Sequence, residues 1–169
     1  MVMFSTFKPA RRRCGFTLIE MVVVVAIVGI LAAAAQPLLV LQVRRQKEFE
    51  LRQGLRALRS AIDAYRQAAT DGTLAPAEPT DPDNSGYPPD LQRLVDGVAD
   101  ARSPKQRKIY FLRRMPRDPF ADAALPAAQT WGLRSHDSPP DAPQPGRDVF
   151  DVRSRSEGVG LDGTPYRDW

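Results

Sequence analysis

Between Phe16 and Val43 the sequence carries one charged residue, Glu20. An ionised carboxylate costs at least ~2.5–3.5 kcal/mol at the centre of a membrane helix, so an acid in such a run is normally paired or functional. Reactive side chains are sparse elsewhere. His136 is the single histidine and sits in a proline-rich stretch. Asp118 and Asp122 flank Pro119 and have the look of paired acids, but Asp-Pro is also ordinary turn chemistry. Cys14 is the single cysteine, which excludes an internal disulfide scaffold. There is no nucleophile motif, phosphate loop or zinc-ligand pair, and this speaks against an enzyme.

The element that must carry Glu20 is a helix. The 28 residues 16–43 reach roughly 42 Å at ~1.5 Å per residue, against a bilayer core of about 30 Å. Lys8, Arg11, Arg12 and Arg13 precede the run and no acid does, which predicts a cytoplasmic N-terminus. Three readings follow from these features: a cleaved secretory signal with small residues at Ala32–Ala35, a plain membrane anchor, or a segment that uses its acid. A lipoprotein signal does not fit, because Cys14 precedes the apolar core.

The helical pattern continues past the alanines. Leu51, Leu55, Leu58, Ile62, Tyr65 and Ala69 recur at spacings of four and three and share one helix face. Arg52, Arg56, Arg59, Asp63 and Arg66 take the rest, so the spacing predicts an amphipathic helix over 44–71, its stripe packed on the chain's own domain in preference to a partner helix. Asp71-Gly72 is its stop. Gly54 weakens the helix interior and marks either close packing or nothing in particular, and "RRQK" from Arg44 reads as solvated, snorkelling side chains. Pro37 should kink the helix, which membrane helices tolerate. The expected product is one long bent helix, apolar first and amphipathic after.

Fourteen of the sixteen prolines lie at or beyond Pro76, and roughly 95 residues follow Gly72, enough for one small domain. "TLAPAEPTDPDNSGYPPD" is a connection. Residues 90–95 suggest a short helix closed by Asp96-Gly97. "KIYFLRRMPRDPF" is an apolar run followed by a proline turn, while "QTWGLRS" and "DVFDVRS" alternate as two strands. The expected fold class is α+β, with a small antiparallel sheet and long loops over the amphipathic half-helix.

"GFTLIE" behind a basic leader and before an uninterrupted apolar run resembles the signal of type IV pilins and type II secretion pseudopilins. The resemblance implies cleavage after Gly15 by a prepilin peptidase and N-methylation of the new first residue, Phe16. It makes Glu20 and Pro37 the acid and the kinking proline of that family. In a filament, Glu20 would then pair with the Phe16 amine of a neighbouring subunit, which fixes register. Residues 1–15 become a leader that removes Cys14 and four basic residues, leaving 20 basic against 20 acidic side chains. The basic balance of the whole chain therefore gives no case for nucleic-acid binding.

"YPPDLQRLVDG", "YFLRRMPRDPF", "WGLRS" and "DVFDVRSRSEG" follow the order of major type II secretion pseudopilins, so the head would be 72–169. The family resemblance implies a structural subunit drawn from the inner membrane into a short periplasmic filament that drives export of folded proteins, with other pseudopilins and an inner-membrane platform as partners. A minor pilin of a type IV pilus and an exported soluble domain are the alternatives. Major pseudopilins usually carry a calcium loop after the last strand. Here "SRSEGVGLDGTPYRDW" offers only Glu157, Asp162 and Asp168, few carboxylates for a cation that takes six to eight oxygens. The expectation is a turn at Asp162-Gly163 and a tail anchored by Tyr166 and Trp169, without a metal or other cofactor.

Overall fold

A computed structural model describes residues 15–75, 85–105 and 107–169. Residues 1–14, most of the expected leader, and most of the proline-rich connection lie outside the described residues, as does the Pro37 side chain. The chain divides into two compact units, Met1–Gln42 and Val43–Trp169.

Helix α1 runs over Leu18–Thr70, and its two ends are chemically defined. At the start, the Thr17 hydroxyl accepts the Glu20 N–H at 3.2 Å, satisfying one of the amides that a first helical turn leaves open. At the other end Gly72 takes φ 64°, a left-handed conformation that suits glycine. The Thr73 amide donates to Ala68 and the Gly72 amide to Ala69, the crossed pair of a Schellman cap. The stop expected at Asp71-Gly72 forms.

In the first unit the apolar side chains of α1 stand exposed, Leu18 at 82% and Ile30 at 71%. This helix is long and apolar enough to cross a membrane. In the second unit the expected stripe is inside. Leu51, Leu55, Leu58, Ala61, Ile62 and Tyr65 are buried, with Ala69 packed at the margin. They meet Leu91 and Leu94 beside and within α2 (Gln92–Asp96), Val98 of β1 (Val98–Ala99), and Trp131 and Val152 of the later strands. The stripe is thus covered by its own domain. The Asp90 carboxylate accepts the Arg93 amide at 2.8 Å at the start of α2, as a short polar side chain before a helix can.

The sheet is not single. β1 pairs antiparallel with β2 (Lys108–Ile109), and β3 (Trp131–Arg134) pairs separately with β4 (Asp151–Ser154) in the register Trp131 to Ser154. The second pair is the one the alternating sequence predicts. The first escapes a periodicity reading, because two residues cannot display an alternation. Trp131 lies across α1 at Gly54, where a Cβ would stand 3.1 Å from a ring carbon, and its indole N–H donates to the Pro116 carbonyl at 3.0 Å. Gly54 is therefore a packing position. A long N-terminal helix with small antiparallel sheets is an α+β, pilin-like fold.

Candidate functional site

Gly15, Phe16 and Thr17 have no regular structure and are exposed, Phe16 at 73%. The Gly15–Phe16 bond therefore lies in accessible, unwound main chain just ahead of α1. Glu20 is also exposed, and among the described residues its carboxylate has no ion-pair partner. It occupies the first turn, where the helix dipole favours an anion. Thr17 and Glu20 have the spacing of a capping box, a signal legible in the sequence that hydropathy alone does not reveal. Glu20 thus has a local role besides the one the resemblance implies. Position 37 lies within α1.

A second cluster gathers where the tail meets α1. Glu48 is buried, and its Oε1 accepts the Leu161 amide at 2.9 Å and the Tyr166 hydroxyl at 3.0 Å. Arg44, one turn earlier, places Nε 3.5 Å from Glu48 and donates to the Tyr166 hydroxyl at 3.3 Å and to the Val159 carbonyl. One turn later Arg52 meets Asp162 at 2.7 Å and stacks over the Trp169 ring, 4.1 Å from its centroid. Arg59 donates to Asp151, to the Val152 carbonyl and to the Trp169 main-chain oxygen at 2.8 Å. Arg44 and Arg59 are consequently only half exposed, which corrects the reading of the first as a freely snorkelling chain and of the second as part of a watery face. Their positions alternate with the apolar stripe, so sequence periodicity shows them as surface; only the folded tail makes partners for them.

These contacts shift ionisation. The hydrogen bond to Tyr166 raises the Arg44 pKa against the opposing effect of burial, with Glu48 adding to the rise. Burial pushes the Tyr166 phenol up, and its neighbours Arg44 and Glu48 pull in opposite directions. The Thr164 amide, with Arg52 nearby, holds Asp162 below the usual carboxylate range although partial desolvation opposes it.

The tail turns as expected at Asp162-Gly163, with Gly163 at φ 83° and the Gly160 amide bonded to the Thr164 carbonyl at 2.8 Å. Tyr166 is buried, stacked 4.3 Å from Phe120, with Trp169 edge-on to it. The acids that resemblance offers to calcium do not come together. Asp162 is engaged by Arg52 and the Thr164 amide. Asp168 lies 3.6 Å from Arg167, and Glu157 is exposed on a groove that Arg155 and Arg167 also line. Among the described residues no three acids, histidines or cysteines group as metal ligands. Two of the three acids are thus taken up by arginine contacts.

The remaining candidates are structural. Asp118 is fully buried; its carboxylate accepts the Phe120 amide at 2.8 Å and the Ser154 hydroxyl at 2.6 Å, tying the Asp-Pro turn to β4. Asp122 accepts the Ala124 amide, so the two acids cap separate turns. Ser135, His136 and Asp148 have the composition of a catalytic triad without its order. Asp148 accepts the Ser135 hydroxyl and the His136 main-chain amide, while the imidazole stacks on Tyr87 and approaches Asp137.

A family model described as the prokaryotic N-terminal methylation motif matches residues 10–36, which hold Gly15, Phe16 and Glu20. Core protein G of the type II secretion system of Vibrio cholerae is 30% identical over 118 residues, 68% of this chain and 70% of that protein. Its counterpart from Pseudomonas aeruginosa is 31% identical over 116 residues, 66% and 71% of the two chains. The chain belongs to the type II secretion core protein G family. A type IV major pilin, PilA of Myxococcus xanthus, is 49% identical over 61 residues, 36% of this chain but only 27% of that protein. No solved structure matches the chain significantly. None of the three relatives is named for a catalytic activity.

Proposed function

We infer that this chain is a structural subunit of a type II secretion pseudopilus, held in the inner membrane by the first half of α1 with its head in the periplasm. The observation that carries this reading is the bare apolar half-helix. Burying one Val, Leu or Ile contributes roughly 1.5–3 kcal/mol, so a helix with this many exposed apolar side chains needs a bilayer or other helices around it. The head completes its own core with the other half of α1.

In this reading a prepilin peptidase cuts after Gly15, the Phe16 amine is methylated, and Glu20 pairs with the corresponding amine of the next subunit. Pro37 allows the helix to bend as it packs. Further pseudopilins and the inner-membrane secretion platform are the remaining partners, and the filament's work is mechanical export of folded protein. The higher identity to PilA over a short segment favours a second reading, a type IV pilus subunit, whose processing would be the same.

The test is the mass and N-terminal sequence of the protein recovered from membranes. The expected chain begins at Phe16, about 14 Da heavier than the unmodified fragment after one methylation. A chain beginning near Gln36 would mean an ordinary secretory signal. Deleting the gene separates the two filaments: loss of secretion marks a pseudopilus, and loss of surface fibres with secretion intact marks a pilus.

A further inference from the structure

The loop 158–168 follows the last strand, the place at which major pseudopilins usually hold calcium, and here it is met by three charged side chains of α1, Arg44, Glu48 and Arg52. Arg44, Glu48 and Arg52 recur four apart on α1 and form a row one turn per residue along one helix face. Each grips a different point of the loop. Arg44 holds the Val159 carbonyl and the Tyr166 hydroxyl, Glu48 the Leu161 amide and the same hydroxyl, and Arg52 the Asp162 carboxylate.

We propose that this row is a metal-free latch: two guanidinium groups and one buried carboxylate of α1 fix the C-terminal loop in the position that a calcium ion would otherwise organise. Charge balance supports it. Two cations, Arg44 and Arg52, face two anions, Glu48 and Asp162, so the cluster is already neutral, and a divalent ion added there would meet two fixed positive charges. The hydrogen-bond inventory supports it too. A carbonyl and a carboxylate that could serve as oxygen ligands already receive guanidinium N–H donors, which bind such oxygens directionally. Glu48 is the keystone, because its single oxygen Oε1 takes both the loop amide and the tyrosine. The proposal concerns the subunit itself and holds whether the filament is a pseudopilus or a pilus.

Hydrogen exchange of the full chain in detergent tests the latch, read on peptides covering 158–169 and, as an internal control, 131–134. In the unaltered protein, exchange of the loop should be the same within about twofold in chelator, magnesium and calcium. Glu48→Leu should speed loop exchange by about tenfold or more, the factor that corresponds to losing a hydrogen bond to a charged group, while β3 is unchanged. Arg52→Ala, at an exposed position, should speed it several-fold and decides the matter if Glu48→Leu fails to fold. Calcium-specific slowing of the loop in the unaltered protein, or unchanged loop exchange in the folded variants, would overturn the latch.

Discussion

Glu20 is subject to two free-energy terms that mutation can separate. In the monomer it sits in the first turn of α1, beside the Thr17 cap, where the dipole interaction is typically about 0.3–1 kcal/mol. That gain is small, and replacing the only charge of the apolar run by an apolar side chain makes the segment more hydrophobic, so Glu20→Val should insert at least as well and still be processed at Gly15. In the filament the neighbouring Phe16 amine would lose its counter-charge, and leaving one member of a buried pair alone commonly costs ~3–5 kcal/mol. Cross-linking of membranes that contain the variant as the only copy should therefore show intact monomer and few multimers. Abundant multimers would remove Glu20 from assembly. A charge pair between chains cannot be read from one chain's periodicity, which is why the role of Glu20 rests on resemblance while its cap rests on geometry.

Among the elements, α1 shows how far pattern reading reaches. The stripe from Leu51 to Tyr65 predicts its own burial, because apolar side chains at helical spacing have only one way to leave water together. What lies opposite is not predictable from the stripe. Trp131 is 77 positions from Gly54 in sequence, and its ring lies 3.1 Å from where a Cβ at Gly54 would stand. Gly54→Val should consequently destabilise the head. The helix gains only about 0.3–0.5 kcal/mol in propensity, whereas overpacking against a ring anchored through Pro116 typically costs about 1–3 kcal/mol. Denaturant unfolding of the detergent-solubilised protein, followed by tryptophan fluorescence, measures the difference; an equal or higher midpoint would show that Trp131 can yield. The hairpin of β1 and β2 was illegible for a different reason, since two-residue strands are defined only by the partner across from them.

At the scale of the whole head, buried and paired carboxylates set its response to acid. Asp148 is buried, which by itself would raise its pKa, but hydrogen bonds from Ser85, the His136 amide and Ser135 prevail and lower it. Asp162 is lowered as well. A carboxylate with a folded pKa below its unfolded value contributes stability that is complete above the unfolded pKa and disappears as pH falls through the folded one. Stability should therefore decline below about pH 4, the ordinary range for an unfolded aspartate. Asp148→Asn should be less stable than the unaltered protein at neutral pH and lose less on acidification. Unfolding midpoints measured across that range check it, and parallel curves for the two proteins would exclude Asp148 as a source of the acid sensitivity. The sequence by itself determined the long helix, the change from apolar to amphipathic along it, the cap at Gly72 and the β3–β4 pair, because each follows from local spacing and local backbone chemistry. Only the tertiary structure decided that the tail returns to α1, that Glu48 is buried beneath it and that Arg44, Arg52 and Arg59 grip it. Those contacts join residues more than 90 positions apart, and a charged side chain at helical spacing looks the same in sequence whether it ends in water or against a distant segment of its own chain.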